Sequence, residues 1–377
     1  MKARIIDALF LTSVILLSSI TLPIAGKAEE SPIVQTPDLS NHPIYSNYKF
    51  SKEENVINIG VQPIYLPTGF ISEAMKRDTV LQKALLELGV EVRFYAFLKG
   101  DDVNFFIRRG DLDAGISGDM PVITAAATMD VIIPVLIQQG FTSIIANRPM
   151  LISELRGRNI GYAFGSNAHY ALLRSLASDG LNETDVNLVP MEVTQMPEAL
   201  HAGKVDAFSA WEPTAAITLI KYPESVAIHR YLSSGYMYFT KTILEDHPEA
   251  VSQIVASEIR AIQWVQDDMQ NLLQASEWAI KAGESLTGQS VELSVEENAS
   301  LAKGDILGLS SAPIIPHNDL ETNGLLYMEF EFLKTLGKIP ASRSWERVRN
   351  SFDWQIINRV LSDSKEYNLD EFNYMIE

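Results

Sequence analysis

Asn159-Ile160-Gly161-Tyr162-Ala163-Phe164-Gly165-Ser166-Asn167-Ala168-His169-Tyr170 and, further on, Ala202-Gly203-Lys204-Val205-Asp206-Ala207-Phe208-Ser209-Ala210-Trp211-Glu212-Pro213 are the two stretches that decide the fold. The first begins with a short β-branched run, turns at Phe164-Gly165 and enters a helix at Ser166. Free backbone N–H groups, a hydroxyl and an imidazole therefore meet at one helix N-terminus, where the helix dipole favours negative charge. The pattern reads as an anion site built without a metal or a lysine. The second stretch adds a strand, then an indole and a carboxylate able to read the rest of a small ligand.

Both stretches have an earlier counterpart. Asn58-Ile59-Gly60-Val61-Gln62 answers Asn159-Ile160-Gly161-Tyr162-Ala163 at an offset of 101 residues. Gly110-Asp111-Leu112-Asp113-Ala114 answers Gly203-Lys204-Val205-Asp206-Ala207 at an offset of 93. Asp119 and Pro121 then correspond to Glu212 and Pro213, each followed by an Ala-rich helical run. A spacing near one hundred residues is too long for a solenoid repeat and fits two copies of a small α/β lobe.

The rest of the chain organises around this pair. Lys2 and Arg4, an apolar run from Leu9 to Ile24 and the small residues before Ala28 read as a cleaved export leader over residues 1–28. Residues 29–55 are polar and carry Pro32, Pro37 and Pro43, which predicts an arm or linker before the fold. Lobe one is expected over 56–142 and 236–377, and lobe two over 143–235. In each lobe strand and helix signals alternate, which predicts a mostly parallel sheet with helices on both faces. A continuous helix is expected over Ile71–Leu88. The chain should cross between lobes twice, near Thr142–Ala146 and Ser234–Phe239, forming a hinge that lets the lobes close on a ligand. Trp264 and Trp278 are expected in a helical core, and Gly337-Lys338-Ile339-Pro340 reads as a helix stop.

Composition narrows the function. The formal net charge of −18 becomes about −20 once the leader is removed. Such a chain repels nucleic acid and anionic lipid, so an anion site must be made locally from oriented dipoles. With no cysteine, the chain has no lipid-modified N-terminal Cys, disulfide or catalytic thiol. The six histidines are scattered without metal-ligand spacing. No cofactor or metal is expected.

Gly165-Ser166-Asn167-Ala168-His169-Tyr170, together with Val205-Asp206-Ala207 and Trp211-Glu212-Pro213, resembles the periplasmic solute-binding proteins of ABC importers for aliphatic sulfonates, taurine and nitrate. Ser117-Gly118-Asp119-Met120-Pro121 is similar to that family's segment at the cleft edge of lobe one. The resemblance covers roughly Ile57 to Pro340. It implies a two-lobed periplasmic-binding-protein fold, type II-like, a two-crossing hinge, and a monomer in the periplasm. It also implies a small anionic ligand, a sulfonate such as taurine or an alkanesulfonate, handed to an ABC permease in the inner membrane.

Ligands of parallel α/β lobes sit at the C-terminal ends of strands. The candidate ligand residues are therefore Gln62, Tyr65, Ser117, Gly118 and Asp119 in lobe one, and Gly165, Ser166, His169, Trp211 and Glu212 in lobe two. A tetrahedral sulfonate suits several N–H and O–H donors. Ser166 also reads as a plain N-cap, and His169, three residues on, as a half-buried structural histidine. Trp211 suits stacking on an alkyl chain or capping of an ammonium, and equally a lobe-interface core. Asp119 and Glu212 suit a ligand amine, although Asp119 also fits a helix-start carboxylate satisfied by backbone. Asp113 and Asp206 read as turn residues outside the site.

Other functions stay open on this reading. One is a nitrate- or bicarbonate-type binder; another is a ligand sensor with a separate partner. A third is an enzyme on this fold, like the pyrimidine-precursor synthases the superfamily resembles. The enzyme reading is disfavoured because Ser166 and His169 lack an acid partner and sit at a helix start rather than a nucleophile elbow.

Overall fold

A computed structural model describes residues 38–307 and 313–376. The expected leader and the first third of the polar arm lie outside these residues.

The repeated motif builds the frame. Eight strands, β1 (Val56–Val61), β2 (Glu91–Ala96), β3 (Ala114–Gly118), β4 (Val131–Ala146), β5 (Asn159–Tyr162), β6 (Asn187–Pro190), β7 (Ala207–Trp211) and β8 (Val226–Thr240), form one sheet in the order β2-β1-β3-β8-β4-β7-β5-β6. β1 pairs in parallel with β2 and β3, and β5 in parallel with β6 and β7. The duplication extends to register: Ile59 faces Ala114 as Ile160 faces Ala207. Helices connect the parallel strands, as crossovers of this kind require. In chain order they are α1 (Thr68–Arg77), α2 (Thr79–Glu87), α3 (Gly100–Arg108), α4 (Asp119–Thr128), α5 (Asn167–Ser178), α6 (Met196–His201) and α7 (Thr214–Lys221).

The two expected crossings are parts of two long antiparallel strands. β8 pairs with β3 through Gly235–Phe239, and β4 pairs with β7 through Thr142–Ala146. Between these ends β4 and β8 pair with each other from Val131↔Thr240 to Ala146↔Val226, with register shifts near Leu136/Gln138 and Ile144/Ile145. The run Val131–Leu136 and the crossing at Ser143–Ala146, expected as separate pieces, are thus one strand. The two halves of the sheet meet along this ribbon.

Alternation along β8 distributes the core. Met237 and Phe239 join the cluster under α1, α2 and two further helices, α8 (Lys241–Asp246) and α9 (Pro248–Asp267); Tyr236 and Tyr238 join the cluster on the other face with α3 and α4. α10 (Met269–Thr287) stacks Trp278 on Trp264 at 5.4 Å. α11 (Val295–Leu307), α12 (Leu325–Thr335), α13 (Trp345–Arg349) and α14 (Gln355–Ser362) complete the C-terminal cladding.

Two local expectations change. The helix expected over Ile71–Leu88 is broken at Asp78. Its Oδ1 accepts from the backbone N–H groups of Val80 and Leu81 and caps α2. Its Oδ2 accepts from Nε and Nη2 of Arg260 at 2.9 and 2.6 Å, with both side chains fully buried. The described part of the polar arm is packed rather than loose. Leu39 and Tyr45 are buried in the second cluster, and the Tyr45 hydroxyl donates to Asp102 at 2.6 Å.

Asp113 and Asp206 also turn out to do more than mark a turn. The Asp113 carboxylate accepts from the Asn58 N–H at 2.8 Å while its own N–H donates to the Asn58 carbonyl at 2.9 Å. Asp206 repeats both bonds to Asn159, at 3.0 and 2.8 Å. Each aspartate immediately precedes a strand and locks it to its parallel neighbour, within β1 at Asn58 and at the start of β5 at Asn159.

Candidate functional site

Because β1, β3, β5 and β7 all end towards the middle of the molecule, the turns after them face one another. Between them lies a cavity of about 610 Å³. From the first half of the sheet its wall receives Gln62, Tyr65, Gly118 and Asp119; from the second half, Gly165, Ser166, Trp211 and Glu212. Ile64, Leu66, Leu98, Phe141, Phe164 and Met191 make much of the remaining wall apolar.

The cavity is bridged. Tyr65 and Trp211 meet edge to face at 5.5 Å, and the Tyr65 hydroxyl donates to the Leu98 carbonyl. Lys99, at the start of α3, pairs with Glu192, beyond β6, at 2.7 Å. The Asn167 side chain hydrogen-bonds the Asp119 carboxylate and accepts from the Thr142 hydroxyl at 3.3 Å. Asn167 belongs to the Gly165–Tyr170 motif but, like Lys99 and Glu192, is not among the candidate ligand residues of the sequence.

Asp119 follows β3 directly and is 1% exposed. Its carboxylate accepts from its neighbour Met120 N–H at 2.8 Å and from Ser234 N–H, on β8, at 3.0 Å. Burial pushes its pKa up to about 6, against the pull of these donors and of Asn167. Glu212, directly after β7, turns back onto its own helix and accepts from the Ala216 N–H at 2.9 Å; burial raises its pKa as well. Asp119 thus takes the backbone-satisfied arrangement, and Glu212 shares in it.

The Gly165–His169 turn is closed on itself. Gly165 sits at φ +69°, and its N–H donates to Nδ1 of His169 at 3.2 Å. The Ser166 hydroxyl donates to the Ala163 carbonyl at 2.7 Å and accepts from the His169 N–H at 3.2 Å, so Ser166 is the N-cap of α5. His169 is 2% exposed and is not part of the cavity wall. Tyr162, Phe164 and Phe332 surround its ring, and burial, reinforced by Lys338, pushes its pKa down to about 4. Ser117 is likewise buried behind the wall, packed below Gly100. These are the two expected ligand residues that the structure does not bring to the cavity. In both, the alternation of the strand or the inward face of the helix cap directs the side chain into the core.

A lysine stands where none was expected. Lys338, just past α12, enters the cavity wall, and a Cβ on Gly165 would lie 2.5 Å from its Cε and 2.6 Å from its Nζ. Its Nζ donates to Oδ2 of Asp101, in the first turn of α3, at 2.6 Å. In isolation Gly337-Lys338-Ile339-Pro340 carries only a helix-stop signal. The contact depends on a chain separation that no local pattern encodes.

The model of the NMT1-like family matches residues 74–280. A putative aliphatic sulfonates-binding protein of Bacillus subtilis (strain 168) is 25% identical over 228 residues, covering 58% of this chain and 68% of that protein. The alkanesulfonate-binding protein SsuA from Xanthomonas axonopodis pv. citri, solved bound to MOPS, superposes with a TM-score of 0.60 at 16% identity, over 80% of this chain and 99% of that one. The desulfurization enzyme DSZB shares the fold at a TM-score of 0.58 and 14% identity, over 82% and 99% of the two chains.

Proposed function

The chain belongs to the NMT1-like family, and we propose that it is a periplasmic solute-binding protein that captures a sulfonate between two lobes and delivers it to an ABC permease. The observation that carries the reading is the cavity of about 610 Å³ between the strand ends of the two half-sheets. A cavity of that size, walled by aromatic and aliphatic side chains alongside polar and charged ones, suits a ligand with an apolar body and an anionic head. An alkane- or arylsulfonate fits this better than taurine, because Asp119 and Glu212, the two carboxylates expected to read an ammonium, already accept from backbone N–H groups. The sulfonate-binding relative in Bacillus subtilis supports the same ligand class.

The two halves of the sheet act as lobes, 56–142 with 236–377 and 143–235, and the β4–β8 ribbon is the hinge. The bridges across the cavity correspond to a closed state, which ligand stabilises by contacts absent from the open one. Binding rather than catalysis is supported by the fate of Ser166 and His169. Ser166 Oγ and His169 Nδ1 are spent on the α5 cap and the Gly165 turn instead of forming a nucleophile–base pair, and His169 Nε2 is buried away from the cavity without a partner among the described residues. Among the described residues no helix is long and apolar enough to cross a membrane, and the export leader read at residues 1–28 supports a periplasmic location.

Calorimetric titration of the mature chain, stripped of co-purified ligand, tests the reading. The panel is hexanesulfonate, naphthalene-2-sulfonate, taurine, nitrate and bicarbonate. One-to-one binding of an apolar sulfonate at micromolar affinity or better, about −8 kcal/mol, is expected, with taurine weaker. Tighter binding of nitrate or bicarbonate than of any sulfonate would overturn it.

A further inference from the structure

We propose that Lys338 is the cation that receives the ligand's sulfonate, and that Asp101 is its resident counter-ion, displaced when ligand enters. The inference rests on the sulfonate reading above and names the group that makes it work.

Three observations lead to it. First, an anion entering this cavity meets carboxylates from Asp101, Asp119, Glu192 and Glu212 in a protein of formal charge −18. Some local positive charge has to offset them, because charges interact strongly where water is excluded. Second, the hydroxyl and two of the backbone N–H groups expected to serve an anion at the α5 N-terminus are already engaged. The Gly165 N–H is held by His169, the Ser166 N–H and hydroxyl both by the Ala163 carbonyl. Third, two lysines reach the cavity. Lys99 lies at its rim, with its side chain 50% exposed and paired to an equally exposed Glu192. Lys338 lies inside, 15% exposed, beside a glycine whose missing Cβ leaves room for its ammonium.

The Lys338–Asp101 pair is unequal. Asp101 is 37% exposed and can turn to solvent, whereas Lys338 is confined between Gly165 and α3. Exchange of one carboxylate for a sulfonate keeps the ammonium paired and moves the displaced charge to water. Lys338 also lies outside the segment matched by the family model, which ends at residue 280. It reaches the cavity through α12, whose Phe332 packs on His169 and Tyr170 of the opposite half.

The test is titration of naphthalene-2-sulfonate and hexanesulfonate into wild-type protein and into Lys338→Met, Lys338→Arg, Asp101→Asn and the Lys338→Met/Asp101→Asn double variant, each checked for native circular dichroism. Lys338→Met should weaken sulfonate binding by about tenfold or more, the worth of a charge-assisted hydrogen bond. Asp101→Asn should tighten binding several-fold, because the internal competitor is gone, and the double variant should resemble Lys338→Met. Lys338→Arg should retain most of the affinity. Naphthalene-2-sulfonamide, which carries no charge, should be insensitive to Lys338→Met. A Lys338 that only pins the turn predicts the opposite for Asp101→Asn: both variants would loosen binding together, and that result overturns the inference. So does a Lys338→Met variant that binds like wild type. If Lys338→Met fails to fold, the sign of the Asp101→Asn effect decides. Wild-type protein that binds no sulfonate overturns the function reading, and this inference falls with it.

Discussion

The two halves of the sheet share a frame and differ in what they hang on it. In both, an aspartate just before one strand clasps an asparagine of its parallel neighbour, Asp113 to Asn58 and Asp206 to Asn159. In both, an acidic residue follows the strand, Asp119 and Glu212. There the likeness stops. Asp119 is sealed under β8 by the Ser234 N–H, while Glu212 folds back on its own helix at the cavity wall. The first half lies under most of the C-terminal cladding, of which α12 also reaches α5 in the second half, and keeps an ion pair in its interior. The second half carries its ion pairs on the surface. The duplicated residues are those that set strand register, and the divergent ones face the cavity or the cladding. Scaffold and site therefore answer to different constraints within one repeat.

The largest expected effect tests the contrast in ion pairs. Asp78→Ala leaves the fully buried Arg260 guanidinium without its carboxylate and also uncaps α2. It should cost about 3–5 kcal/mol, the range for breaking one side of a buried pair. Arg158→Ala removes a half-exposed partner of Asp206 in the other half and should cost about 0–1 kcal/mol. Urea unfolding followed by circular dichroism reads both. Equal losses would mean that the cladding does not isolate the first half from water in the way its burial suggests.

The halves should also respond to pH with opposite sign. Asp119 has a folded pKa of about 6 against 3.8 for the free side chain. Its native form therefore holds a proton that the unfolded chain has lost, and stability falls as pH rises from about 4 to 6. His169 has a folded pKa of about 4 against 6.5. Its native form stays neutral where the unfolded chain is charged, so stability falls as pH drops from 6.5 to 4. Each amounts to up to about 3 kcal/mol at full extent. Glu329, facing Asp119 and Asp319, and Glu258 are also pushed well up by burial and add to the Asp119 direction in every variant. Relative to wild type, Asp119→Asn should make stability rise more steeply with pH between 4.5 and 6.5, and His169→Gln should make it fall. Unfolding midpoints across that range measure the two slopes, and a shared sign would remove the distinction.

What could be read in the sequence follows the same division. The strand heads, the α5 cap and the alternation of strands and helices in each half are legible because they depend on neighbours in the chain: β-branched runs, glycine stops and a Ser three residues before the N–H that donates to it. Eight of the ten expected ligand residues lie in the cavity wall for the same reason, since strand ends in parallel sheets point to one place. Ser117 and His169 escaped because periodicity gives the face a residue takes, and both took the inward one. The helix break at Asp78 has no Gly or Pro to mark it and is imposed by Arg260, far along the chain. Lys338 is hidden for the same reason, its meaning supplied by Gly165 and Asp101.

The finest test concerns the clasp that the halves share. Asp113 and Asp206 make the same two bonds, but Asp113 is half-buried between β1 and β3, and burial raises its pKa. Asp206 lies nearer water, with its side chain 28% exposed. Losing an acceptor leaves the Asn58 or Asn159 N–H unsatisfied, and the penalty depends on whether water can replace the carboxylate. Asp113→Ala should thus cost about 1–3 kcal/mol, and Asp206→Ala less than half of that. Hydrogen exchange at the Asn58 and Asn159 amides localises the loss, with faster exchange at the clasped asparagine only. A larger loss from Asp206→Ala would show that the clasp holds the second half together where less cladding supports it, and would reverse the ranking of the two halves.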